Sequence, residues 1–106
     1  GNVVLRDRKV LSEDGIFIVA ITVNRREKKI IAKARVHTRG FVYLKKSRDI
    51  LRESTELVNQ TVEDYLQGEE FDGADLKGKV RDNLAKFLFE QTKRRPAILP
   101  VVMEAK

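Results

Sequence analysis

The apolar pattern begins with a nearly continuous run of eight residues, Ile16 to Val23, rich in β-branched side chains. Such a run is typical of a strand that is buried on both faces or nearly so. After a polar break at 24–27, residues 28–36 alternate and predict a half-buried strand. One predicted face carries Ile30, Ala32, Ala34 and Val36, and the other carries Lys29, Lys33 and Arg35. The short break predicts an antiparallel hairpin with a loop of about four residues.

Two helices are predicted next. Apolar residues at a spacing near 3.6 run from Ile50 to Leu66, which favours an amphipathic helix. Asp72 has the residue type and position of an N-cap for a second helix, whose apolar stripe runs from Leu76 to Leu88. Because the loop between the two stripes is short, we expect the helices to be antiparallel neighbours.

The final segment predicts a corner and a last strand. Lys93, Arg94 and Arg95 follow the second stripe, and a helix C-terminus favours cations there. Pro96 stops the helix. Residues 98–103 predict a strand, and Pro100 within it predicts an edge strand or a bulge because proline cannot donate to a ladder.

The element order β-β-α-α-β predicts an α+β fold. We expect a two-layer sandwich, with a small three-stranded sheet and two antiparallel helices on one face of it. The other face is then left to solvent or to a partner. The 106 residues are enough for one domain with a modest core. Residues 16–106 are predicted to form that domain, with 1–15 as a linker or docking segment.

Composition limits the cellular environments in which we expect the chain to function. The chain has no cysteine, which excludes disulfides and fits a reducing cytoplasm. No apolar run approaches the ~20 residues that span a bilayer, so we expect no membrane partner. The chain begins with glycine and not methionine, so we expect it to be part of a larger protein.

Charge is unevenly distributed along the chain. Residues 1–46 carry net +8, residues 47–92 carry −5 and residues 93–106 carry +3, within a total of +6. The basic segments could contact RNA phosphates, the acidic helices of a second copy, or only solvent.

The pattern gives no catalytic site. His37 is the only histidine, and one histidine without cysteines cannot form the ligand cluster of a metal-dependent nuclease. We expect it to end a strand at the surface. The sequence contains neither a glycine-rich phosphate loop nor a GxSxG motif. We therefore expect no catalytic residue, metal or cofactor in this chain.

Two non-catalytic roles have candidate residues. RNA binding through a basic strand face and its adjoining hairpin tip would use Arg25, Arg26, Lys29, Lys33 and Arg35. Aromatic residues for base stacking are scarce, which weakens this hypothesis. Self-association through the uncovered sheet surface and its edges would use Ile31, Phe89, Ile98 and Val102.

Three stretches resemble one known family, in order along the chain. They are NVVLRDRKVLSEDGIFIV (2–19), ARVHTRGFVY (34–43) and FLFEQTKRRPAILPVVME (87–104). Together they resemble the C-terminal portion of the ribonuclease J family, bacterial nucleases of the metallo-β-lactamase and β-CASP type. These stretches are not catalytic motifs, so the resemblance carries no catalytic residue to this chain.

The resemblance implies a larger parent protein. That parent would be a 5′-to-3′ exonuclease and endonuclease in RNA processing and mRNA decay, with zinc or manganese in its catalytic domain. The present region would be a small appended domain, a three-stranded sheet facing two helices, that supports oligomerisation and activity. Its implied partners are the nuclease core of the same chain and further copies or paralogues, with RNA as a further option.

Overall fold

The computed structural model describes residues 14–40 and 47–105. Its elements are β1 (Ile16–Asn24), β2 (Lys29–Arg39), α1 (Ser47–Leu66), α2 (Gly73–Thr92) and β3 (Ala97–Glu104). The order β-β-α-α-β, the α+β class and the four-residue loop at 25–28 confirm the predictions. Most of the predicted linker, 1–15, lies outside the described residues.

The sheet has the strand order β2-β1-β3, with β1 in the centre. β2 pairs antiparallel with β1, as a hairpin requires. β3 pairs parallel with β1, because the two intervening helices return the chain to the end of the sheet where β1 starts.

The edge position predicted from Pro100 is confirmed. The Ala97 N–H donates to Gly15 O (2.9 Å) and the Ala105 N–H donates to Val23 O (2.8 Å). Alternate residues of a parallel strand bond to the same neighbour, so odd-numbered residues of β3 bond to β1. Pro100 is even-numbered, so its backbone nitrogen points away from β1 toward the open edge of the sheet. Its missing N–H therefore removes no bond to β1 and leaves one donor fewer on that edge.

The core lies between one face of the sheet and the two helices. The side chains of β1 alternate, and Phe17, Val19, Ile21 and Val23 are at most 2% exposed. α1 packs against β2, and α2 packs against β3. The helical residues of the core are Ile50, Val58, Val62, Leu66, Leu76, Val80, Leu84 and Leu88. The apolar run of β1 predicted a strand buried on both faces or nearly so; one face is fully buried and the second is half-buried.

The two helices are antiparallel, as predicted. The Asn83 side chain, in the middle of α2, donates to Thr61 Oγ1 (3.1 Å), and one turn further along α1 the Tyr65 hydroxyl accepts from the N–H of Asp72, just before α2 (3.0 Å). Asp72 is the N-cap of α2, and its carboxylate accepts from the Ala74 N–H at 2.9 Å. This confirms the predicted start of α2.

A double register shift in β2 corrects the predicted alternation. Ile30 pairs with Val23, but Ala32 pairs with Thr22, so the pairing shifts between them and again before Arg35. Ala32 is therefore exposed and does not share the buried face with Ile30 and Ala34. Each shift adds a residue to β2, which is the signature of a β-bulge.

Candidate functional site

The side of the sheet that faces away from the helices is the main candidate surface, called here the open sheet face. It consists of the β1 residues that point away from the helices and of their pairing partners in β2 and β3. They are Ile16, Ile18, Ala20 and Thr22 of β1, Ala32, Arg35, His37 and Arg39 of β2, and Leu99, Val101 and Met103 of β3. No described element covers this face, because both helices pack on the other side.

One half of the open sheet face is apolar. Leu99 is 50% exposed, Val101 41% and Met103 49%. They pair with Ile18, Ala20 and Thr22, which are themselves half-buried. Adjacent strands lie about 4.8 Å apart, so these side chains form one contiguous strip along β1 and β3.

The other half carries cations along β2. Arg35 pairs with Ala20, and Arg39 pairs with Ile16, with His37 between them opposite Ile18. Within 14–40 and 47–105, no carboxylate lies at ion-pair distance from Arg35 or Arg39. The open sheet face is therefore apolar toward β3 and basic toward β2.

The five residues predicted to bind RNA are all exposed but do not form one site. Arg25 forms an ion pair with Glu104 (3.2 Å), and Lys29 forms one with Glu27 (2.8 Å). Arg25 and Arg26 lie in the turn, whereas Arg35 lies on the open sheet face. The pairing with carboxylates reduces the positive charge that the hairpin tip offers to a phosphate.

The four residues predicted to mediate self-association fall into different environments. Ile31 is 49% exposed at the first register shift of β2. Phe89 is half-buried beneath two cations at the end of α2. Ile98 and Val102 pair with Phe17 and Ile21 on the helix-covered side of β3. The outward face of β3 is instead formed by Leu99, Val101 and Met103, which the sequence reasoning did not select.

Comparison with known proteins identifies the family. Residues 3–105 match the profile of the ribonuclease J C-terminal domain. The chain belongs to the ribonuclease J family. Its resemblance to the C-terminal domain, inferred above from three stretches, is thereby confirmed over almost the whole sequence.

Curated relatives carry the same family name. The chain is 76% identical over 106 residues to Ribonuclease J 2 of Streptococcus pyogenes serotype M3, which covers all of the chain and 19% of the relative. It is 47% identical over 104 residues to Ribonuclease J 2 of Staphylococcus aureus strain NCTC 8325, which covers 98% of the chain and 19% of the relative. The chain thus spans about a fifth of the length of these ribonuclease J proteins.

The metal that the ribonuclease J family implies has no ligand set in the described part of this domain. There, no group of three or more His, Cys, Asp or Glu side chains is placed to hold a metal ion. Neither α1 nor α2 is long and apolar enough to cross a membrane.

Proposed function

We propose that this chain is a non-catalytic C-terminal domain that supports oligomerisation, and through it the activity, of a parent ribonuclease J. The parent would be a 5′-to-3′ exo- and endoribonuclease of RNA processing and mRNA decay in the cytoplasm. Its zinc or manganese would be bound outside this domain. The domain would act by packing the open sheet face against the same face of a second copy.

The observation that carries the proposal is the mismatch between the composition of the sheet and its coverage. The sequence of β1 has the nearly continuous apolar character of a strand buried on both faces, yet the described elements bury only one. β3 adds Leu99, Val101 and Met103 to the uncovered side. A contiguous apolar patch with a polar margin is the usual mark of a protein interface.

Charge favours one arrangement of the two copies. The cations of β2 would repel one another if β2 lay over β2, at a cost of several kcal/mol for juxtaposed like charges. A two-fold axis parallel to the strands and close to β3 avoids this, because it lays the apolar strip of each copy on the other. The two rows of cations, which include Arg35 and Arg39, then lie at opposite outer margins. Facing sheets pack about 10 Å apart, so the strip would be buried.

The test uses the parent protein with Leu99→Asp and Val101→Asp together. Burying two unpaired carboxylates costs several kcal/mol per ion, so we expect dissociation at concentrations at which the unaltered parent is assembled. Sedimentation velocity and light scattering measure this. Ala74→Asp with Gln91→Asp adds the same charge at exposed positions of α2 and should leave assembly unchanged.

A parent that stays assembled both with the two aspartates in β3 and after removal of residues 16–106 would show that this domain does not support oligomerisation. If the variant dissociates from a paralogue but not from itself, the partner is a paralogue. Loss of contact only with the nuclease core of the same chain would assign the face to that core.

RNA binding through the basic strand face is a second hypothesis, in which the domain would hold substrate for the nuclease core. Of the predicted RNA-binding residues on β2, Lys33 and Arg35 are exposed and have no ion-pair partner among the described carboxylates. Charge reversal at both should abolish the salt-sensitive part of RNA binding if this face is used. The ion pairs of Arg25 and Lys29 make this hypothesis the weaker one.

A further inference from the structure

The corner between α2 and β3 is a compact basic site that none of the surfaces above includes. Residues 93–96 connect Thr92 to Ala97. The cleft beside this corner has a volume of about 300 Å³ and is lined by Ala85, Lys86, Phe89, Arg95 and Pro96. Small-ligand sites begin at about this size.

The backbone of the corner is fixed by its own hydrogen bonds. The Lys93 N–H donates to Phe89 O (2.8 Å), with Lys93 in the left-handed region at φ 60°. The Arg94 N–H donates to Thr92 Oγ1 (3.1 Å), and the Arg95 N–H donates to Asp14 Oδ2 (2.8 Å). All three N–H groups are thus satisfied within the domain, and any ligand must be bound by side chains.

Those side chains are held in place by one aromatic ring. The Arg95 guanidinium carbon lies 4.4 Å from the centroid of Phe89, and Lys93 Nζ lies 5.1 Å from it. Both distances are within the range of a cation–π interaction. An arginine stacked on a ring keeps the donors at its edge available for a planar or tetrahedral anion.

Asp14 leaves these two cations free. It forms an ion pair with Arg94 (3.6 Å) and accepts the backbone N–H of Arg95. In the described part of the chain, no carboxylate lies at ion-pair distance from Lys86, Lys93 or Arg95. The corner has a net charge of +2, from four cations and the two carboxylates of Asp14 and Glu90. The cations are Lys86, Lys93, Arg94 and Arg95.

We propose that this corner binds the phosphate backbone of single-stranded RNA, with Lys93 and Arg95 contacting phosphate oxygens and Phe89 holding them in position. Arginine beside an aromatic ring is a combination that single-strand RNA binders use, and the chain belongs to a family of ribonucleases. The site does not depend on the proposed assembly, since it lies at the end of α2 and not on the open sheet face.

The test measures fluorescence anisotropy of a labelled oligouridylate with the 106-residue chain, from about 50 to 200 mM salt. Lys93→Glu with Arg95→Glu should weaken binding at least about tenfold. Because each phosphate contact on a single strand adds about 0.7 to the log–log salt slope, the slope should fall by about 1.4. Phe89→Leu keeps an apolar side chain but removes the π face, so we expect a loss of about twofold to fivefold.

Control variants test whether a loss of RNA binding is specific to the corner. Lys77→Glu with Arg81→Glu makes the same charge change on α2, away from the corner, and should alter affinity by less than about twofold. Circular dichroism verifies that each variant is folded, and Leu99→Asp with Val101→Asp should bind RNA normally even if it blocks assembly.

Three results would overturn the proposal. One is the absence of RNA binding at low salt. Another is an equal loss of affinity in the Lys77 and Arg81 control. The third is that polyglutamate competes with the RNA for the same residues and binds them with the same affinity, which would assign the corner to an acidic protein partner.

Discussion

A single side chain of α1 compensates for the irregular pairing of β2. The Ala34 N–H donates to Asn59 Oδ1 at 2.8 Å. Ala34 lies within the second register shift, between Ala32 and Arg35; it has no Cα partner in β1 and is 6% exposed. Without Asn59, this N–H would be a buried donor that the sheet itself does not satisfy. We therefore predict that Asn59→Ala destabilises the domain well beyond the usual effect of a half-buried polar residue.

The size of the effect follows from the hydrogen bond that is lost. Leaving a buried donor unsatisfied costs about 1–3 kcal/mol, so we expect the free energy of unfolding to fall by ~2 kcal/mol. Domains of this size have total stabilities of about 5–15 kcal/mol. With about 4–8 °C in Tm per kcal/mol for such a domain, the melting temperature should fall by about 8–16 °C.

Thermal and urea unfolding followed by circular dichroism measure this change. Asn59→Asp keeps an oxygen acceptor in the same place and should retain most of the stability, which makes it the matched control. Hydrogen exchange gives a local readout, because the Ala34 amide should lose protection in Asn59→Ala while the amides at the centre of β1 keep theirs. A free energy of unfolding for Asn59→Ala within about 0.5 kcal/mol of that of the unaltered chain, or an equal loss of stability in both variants, would contradict this prediction.

Three further predictions address other positions. Asp72→Ala should cost about 1 kcal/mol by removing the N-cap of α2, and Asp72→Asn much less; urea unfolding of both would contradict this if the two were equal. Ser54→Ala should leave stability unchanged or raise it by up to about 1 kcal/mol, since its buried hydroxyl has no hydrogen-bond partner among the described residues; a clear loss in Tm would indicate a partner. Lys93→Gly should raise stability by about 1 kcal/mol by relieving a left-handed backbone, while weakening RNA binding; a gain in both would refute the role of this cation.

The regular elements were predictable because each carries its own local signal. β1 has an apolar run, α2 has Asp72 as its cap, and Pro100 excludes a central position for β3. The register of β2 was not predictable in the same way. At its second bulge the Ala34 N–H donates to Asn59 Oδ1, 25 residues further along the chain, and a pattern of alternating residues does not contain that contact.

The candidate surface was predictable only in outline. An uncovered sheet face follows from two helices on a three-stranded sheet, and this expectation holds for the described elements. The residues that form it could not be chosen from β3, because Ala97 to Met103 has no polar residue to mark the outward side. Alternation alone therefore could not show which residues of β3 point away from the helices, and Ile98 and Val102 were selected in place of their neighbours. The pairing of Ile98 with the buried Phe17 shows that Ile98 lies on the helix-covered side.

The parallel pairing of β1 with β3 has a kinetic consequence. Every residue of β1 in this ladder meets a partner 81 positions later, as Phe17 meets Ile98. The hairpin and the helix pair consist of neighbours in sequence and can form early, whereas the last strand must close a loop that spans most of the chain. During synthesis the apolar strip of the open sheet face cannot exist until β3 has left the ribosome. A chain that stops before Ala97 contains the sequences of both helices but lacks the strand through which we propose that copies recognise one another.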